Sequence, residues 1–168
     1  MIERRGAVSA VSAAGRRLTG YAARFLVETR IGSFREVIRP GAFADTLDRD
    51  ILALVDHDPS QLLGRTRSGT LRLEEDDYGL AFDLALPDTR AAADLLALAE
   101  RGDLGGMSFG FVATDEDWNG DLREIRAVDL HEISVIQSWP AYEQTEINVR
   151  HRPPQIMIFG RQWLETCR

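Results

Sequence analysis

Gly105-Gly106-Met107-Ser108-Phe109-Gly110-Phe111 can be read in two ways, and the choice between them decides the fold. As a string, Gly106 to Gly110 is Gly-x-Ser-x-Gly, the nucleophile elbow of α/β-hydrolases. That elbow needs a strand, a sharp turn and then a helix, with the acid and the histidine following the serine. Here the helical pattern, Arg90–Arg101, comes before the serine, and the best-placed histidine, His57, lies upstream. The other reading is a strand that begins near Met107. Met107, Phe109 and Phe111 then share one face and fill a core, while Ser108 and Gly110 share the other. A small hydroxyl beside a residue with no side chain leaves room for a peptide to approach. Gly105 and Gly106 add backbone freedom that can turn N–H groups toward a developing oxyanion. The bland alternative is a glycine-rich strand entry with an incidental serine.

Working outward, most of the chain reads as short strands: Leu18–Val27, Phe34–Ile38, Ile51–Val55, Thr70–Glu74, Leu80–Leu86, Met107–Ala113, Leu122–Ala127 and Leu130–Ile136. Asp76, Asp77, Tyr78 and Gly79 supply a turn between the fourth and fifth of these. Ala42–Leu47, after Pro40 and Gly41, suits a short helix. Arg90–Arg101 has apolar residues at helical spacing, a cap at Asp88 or Thr89, and a stop at Gly102. There is no βαβ alternation. The pattern predicts a mainly β fold with a few helices, built on a closed or nearly closed antiparallel barrel. Residues 1–17 lack a sustained period and read as a flexible lead-in to a domain over residues 18–150. A last strand is suggested at Thr145–Arg150. Beyond Pro153-Pro154, residues 151–168 form a tail whose Ile156, Phe159 and Trp163 are apolar enough to dock, or which processing removes.

The bulk numbers exclude several functions. A chain of 168 residues is long enough to bury a core without disulfides or metals. A net charge of -7, with scattered arginines and no lysine, argues against a nucleic-acid surface. Cys167 is the single cysteine, so no internal disulfide is possible. Ala7–Ala14 is too weakly apolar for a signal core, and no stretch approaches transmembrane length, so a cytoplasmic protein without membrane contact is expected.

Two further segments carry chemistry. Asp56-His57-Asp58 ends an apolar strand, and a solvated strand-to-loop junction is its simplest reading. A metal reading would need more ligands. His131 and His151 exist, but no His-x-x-x-His or cysteine pair supports them, so no metal or cofactor is expected. Asp56 and Asp58 are poorly placed to orient His57, because neighbours in extended chain point to opposite faces. In Leu130-His131-Glu132-Ile133-Ser134-Val135-Ile136, Glu132 alternates onto the face of Leu130, Ser134 and Ile136. A carboxylate among apolar neighbours calls for a partner, and an imidazolium would serve. His131 points the other way, beside Ile133 and Val135.

Taken in order, these segments resemble the prohead proteases of tailed phages, which are distantly similar to herpesvirus assemblin proteases. The resemblance runs from about Leu18 to Arg150. It rests on Ile38-Arg39-Pro40-Gly41-Ala42-Phe43, Asp56-His57-Asp58 with Leu63-Gly64-Arg65, Tyr78-Gly79-Leu80, Gly105 to Phe111, Leu130 to Val135, and Pro140-Ala141-Tyr142. It implies a herpesvirus-protease-like barrel and a serine endopeptidase that acts inside the immature capsid, in the host cytoplasm. Its polypeptide substrates would be the major capsid protein or scaffold, and often the enzyme itself. It further implies Ser108 as nucleophile, His57 as general base and Glu132 as the residue orienting His57, with His131 the alternative. Gly106, Met107, Phe109 and Gly110 would lie around the substrate and the oxyanion. Homo-oligomers are compatible with this reading. A catalytically silent capsid-assembly module on the same fold is the main rival, and an unrelated hydrolase using the same serine is a second.

Overall fold

The computed structural model describes residues 1–7 and 11–138. Its elements are β1 (Glu3–Ala7), β2 (Ser12–Ala14), β3 (Arg17–Arg24), β4 (Thr29–Ile31), β5 (Phe34–Ile38), β6 (Leu52–Val55), β7 (Asp58–Arg65), β8 (Leu71–Glu75), β9 (Gly79–Ala85), α1 (Arg90–Arg101), β10 (Gly106–Asn119) and β11 (Leu122–Ile136). The expected strand at Thr145–Arg150, the Pro140-Ala141-Tyr142 segment and the tail lie outside the described residues. No described helix is long and apolar enough to cross a membrane.

The chain is mainly β, but the described strands do not close into a barrel. They form two sheets, one of seven strands and one of four. The smaller is an antiparallel sheet in the order β2-β3-β9-β8. The larger runs β1-β10-β11, and β11 then continues to β5 and β4 along one half and to β6 and β7 along the other. The two sheets bury their apolar faces against each other, which satisfies the core without closure. Leu18, Leu71, Leu80, Phe82 and Leu84 from the smaller sheet join Met107, Phe109, Phe111, Leu130, Ile133 and Val135 from the larger in one core. Phe109 stacks on Phe111 and meets Phe43 edge-on, with ring centroids 5.2 and 5.7 Å away.

The larger sheet is mixed rather than antiparallel. β10 and β11 pair antiparallel, whereas β5 and β6 both run parallel to β11, end to end along its edge. This explains why residues 122–136 read as two strands in the sequence: they are one strand whose neighbour changes midway. In the gap between β5 and β6 the β11 edge is not left bare. Val128 N–H donates to Ala42 O at 2.9 Å and Leu130 N–H to Thr46 Oγ1 at 3.0 Å. The Ala44–Thr46 turn, a single 3-10 turn rather than the expected helix over Ala42–Leu47, thus fills a backbone need.

β7 was not legible as a strand because it opens with Asp58-Pro59. Among the described strands it pairs with β6 alone, and an edge strand tolerates a proline that cannot donate to the ladder. β1 falls in the expected lead-in, yet it lies along β10 with Gly6 opposite Ser108. Its anchorage is ionic. Arg5 Nε lies 2.6 Å from Glu36 Oε1, Arg123 Nη1 lies 2.5 Å from Glu3 Oε2 and 3.0 Å from Glu36 Oε2, and Arg123 also pairs with Glu116. Those residues come from β1, β5, β10 and β11, so the cluster ties the first strand to the sheet. α1 matches its expected bounds, with Thr89 Oγ1 accepting the Ala92 N–H and Gly102 taking the left-handed φ of 75° that a helix stop requires.

Candidate active site

Ser108, Gly110, Glu132 and Ser134 share one face of the β10–β11 pair, opposite the core. Ser108 faces Ser134 across the ladder, and Gly110 faces Glu132. Met107 and Phe109 alternate into the core, so only their backbone borders Ser108. This arrangement depends on an irregularity. Gly110 pairs with Glu132 but Phe111 pairs with Leu130, which leaves His131 as an extra residue in β11. The simple alternation placed Leu130 on the face of Glu132. Instead the bulge sends Leu130 into the core with Ile133 and Val135, while Glu132 and Ser134 stay on the Ser108 side.

His57 reaches this face from the end of β6, which pairs with β11 from Leu52 opposite Glu132 to Val55 opposite Val135. The chain turns sharply there, and Asp56 and His57 have left-handed φ values of 46° and 62°. Asp56 stabilises the turn by accepting hydrogen bonds from the Gln137 N–H and Nε2, both at 2.9 Å. The His57 Nδ1 lies 2.6 Å from Glu132 Oε1. A carboxylate in its ionised form only accepts, so this contact suits the imidazole tautomer that carries its proton on Nδ1 and leaves Nε2 free to accept one. Glu132 is 8% exposed and Ser134 is fully buried. The Ser134 hydroxyl donates to Glu132 Oε2 at 2.7 Å and accepts the His57 N–H at 3.1 Å.

Gly110 makes the carboxylate's position possible. A Cβ built there would press into Glu132 Oε1, with the rest of the carboxyl also in close contact. The third member of the Asp56-His57-Asp58 segment points elsewhere. The Ser60 hydroxyl, then the Gln61 amide and the Ser60 N–H, hold the Asp58 carboxyl below its ordinary range. The three side chains thus face different partners, and no group of three or more metal-type side chains gathers among the described residues. His131 sits on the bulge, its Nε2 3.9 Å from Asp129 Oδ2 and without a hydrogen-bond partner among the described residues.

Ser108 is only 3% exposed, and its hydroxyl donates to Arg5 O on β1 at 2.8 Å. Since β10 lies between β1 and β11, this hydroxyl is turned to the side away from β11. The Gly105 N–H is committed to Ile136 O at 2.8 Å, so it belongs to the sheet. The sequence reading did not assign the Arg5 carbonyl, which has no side-chain signal, or Ser134. The latter had one: a serine two residues after the glutamate on the same strand face.

A strand serine on the sheet face that carries a carboxylate bonded to an imidazole makes a candidate serine-hydrolase site. The family model of the caudovirus prohead serine proteases matches residues 5–157, which include every residue of this site. The chain belongs to that family. No curated protein and no solved structure matches it.

Proposed function

We propose that the chain is a serine endopeptidase that cleaves capsid or scaffold polypeptides during prohead maturation, and that Ser108, His57 and Glu132 carry the reaction. The observation that carries this reading is the 2.6 Å bond from His57 to Glu132 on the sheet face that bears Ser108. Ser108 Oγ attacks the scissile carbonyl carbon as His57 Nε2 takes its proton. The resulting imidazolium is stabilised by Glu132 and then protonates the leaving amine. Water, deprotonated by the same nitrogen, hydrolyses the acyl-enzyme and restores the hydroxyl. Before the first step the Ser108 side chain must turn from Arg5 O toward the imidazole. Gly106 and Gly110 flank the nucleophile where a substrate strand would lie. The reaction would take place inside the immature capsid in the host cytoplasm, and the enzyme's own chain is among its expected substrates. A distant likeness to the herpesvirus assemblin fold belongs to the same reading.

The catalytically silent assembly module is favoured by one observation, the burial of Ser108 against the Arg5 carbonyl. Incubating the purified chain with its cognate capsid protein, and mapping new termini by mass spectrometry, separates the two. Termini that appear with the parent and vanish with Ser108→Ala support the protease. No new termini with the parent support the silent module, and termini that persist in Ser108→Ala mean that Ser108 is not the nucleophile.

A further inference from the structure

We infer that Ser134 is a positioning residue of the catalytic unit, a fourth member that holds Glu132 and His57 in their mutual orientation; this rests on the function proposed above. Glu132 and His57 meet at one bond, Nδ1 to Oε1. One bond fixes a distance but leaves the carboxylate free to rotate about its own axis and the imidazole free to swing. Ser134 supplies what is missing at both ends. Its hydroxyl proton goes to Oε2, the carboxylate oxygen that His57 does not use, at 2.7 Å. Its oxygen accepts the His57 backbone N–H at 3.1 Å. The direction of these bonds is fixed by chemistry, because the N–H can only donate and the carboxylate can only accept. The result is a closed ring: His57 N–H to Ser134 Oγ, Ser134 O–H to Glu132 Oε2, and His57 Nδ1–H to Glu132 Oε1.

The surroundings make this ring hard to replace. Ser134 is 0% exposed, so no solvent molecule takes over its hydrogen bonds when the hydroxyl is removed. Asp56 and His57 are non-glycine residues in the left-handed region, a conformation that persists only when neighbours hold it. Asp56 is held by the Val135 carbonyl through its N–H at 3.0 Å and by Gln137 through its carboxylate. For the His57 N–H, Ser134 Oγ is the acceptor. Ser134 also lies directly opposite Ser108, so the ring is built onto the rung of the sheet that carries the nucleophile. Spacing is the reason a serine can do this: Glu132 and Ser134 stand two apart on one strand face, and the bulge at His131 precedes both, so their alternation is undisturbed.

The test compares the full chain with Ser134→Ala and Ser134→Thr. Readouts are turnover of the cognate capsid protein, thermal unfolding, and the downfield proton resonance of an imidazole N–H bonded to a carboxylate. Partners that orient a metal-bound histidine are worth on the order of 10- to 100-fold, and Ser134→Ala is expected to lower kcat in that range with KM changed less than about twofold. The downfield resonance should be lost or broadened. Ser134→Thr, which keeps the hydroxyl, should recover most of the rate and the resonance. A folded Ser134→Ala chain with parental kcat and an intact resonance overturns the inference. Should that chain fail to fold, Ser134→Cys takes its place, with a weak donor at similar volume, and parental kcat with an intact resonance again overturns it. If Ser108→Ala retains full turnover in the same assay, the proposed function fails instead, and the two failures are distinguishable.

Discussion

Glu132 Oε1 lies 2.6 Å from His57 Nδ1, although the two residues stand on different strands and only one of the neighbouring pair His131 and Glu132 can face the site. Alternation from Ser134 through Ile133, with Glu132 paired to Gly110, turns Glu132 to that face. Glu132→Gln keeps the shape but removes the charge that favours the imidazolium, so kcat is expected to fall by orders of magnitude with KM little changed. In serine proteases with an aspartate in this place, the matching amide change costs on the order of 10^4 in kcat. His131→Ala should change kcat by less than about threefold, since the ring's nearest charged neighbour is Asp129. Steady-state kinetics on both variants check the pair; the reverse ranking would contradict the assignment.

Gly110→Ala separates the proposed His57–Glu132 pair from the fold. The new methyl would occupy the space of the Glu132 carboxylate, and that carboxylate is the flexible end of a side chain that can swing aside. Thermal unfolding is expected to change by only about 1–2 kcal/mol, the scale of a tolerated overpacking. Activity should fall nearly as far as in Glu132→Gln. Full activity in a folded Gly110→Ala chain would mean that the carboxylate position is not critical.

The first strand should respond to acid. The hydrogen bond and charge of Arg123, with a smaller contribution from Arg5, hold the Glu3 carboxyl below its ordinary range against the opposing effect of burial. Glu116 is lowered by the same arginine. Both therefore contribute stability that is complete above the ordinary glutamate pKa and is lost as pH falls through the lowered native values. Urea unfolding from about pH 7 to about pH 3 should show a decline beginning below about pH 4.5. Glu3→Gln should flatten part of that decline, and an unchanged slope would count against the Arg123–Glu3 pairing.

Arg123 itself is a buried cation with Glu3, Glu36 and Glu116 around it. Removing one side of a buried ionic group typically costs about 3–5 kcal/mol, because the partners are left without compensation. Arg123→Met is expected near the lower end, since Arg5 still faces Glu36. Chemical unfolding measures it, and a loss below about 1 kcal/mol would show that the cluster does not hold β1.

Much of the candidate site's geometry was readable because strand alternation is a rigid rule. Ser108 and Gly110 on one face, with Met107, Phe109 and Phe111 on the other, followed from a period of two. So did the nearness of Glu132 and Ser134. The fate of Leu130 was not readable, since a bulge adds a residue without any composition of its own to announce it. β11 read as two strands because its neighbour changes from β5 to β6, and pairing partners are not written in a strand's own residues. β1 and β7 escaped for related reasons. Each is an edge strand, one held by ions contributed from distant segments and the other interrupted by Pro59. The barrel expectation failed because a count of short strands cannot distinguish closure from two sheets packed face to face.

The most direct measurement is the site of covalent labelling by a small fluorophosphonate, read by peptide mapping. The parent chain is expected to carry the label on Ser108. Labelling of His57→Ala and Glu132→Gln at the same residue should be slower by at least about a hundredfold, since the hydroxyl reacts only when the imidazole takes its proton. Label on another serine, or equal labelling of Ser108 in all three chains, would contradict the claim that Ser108, His57 and Glu132 work as one unit.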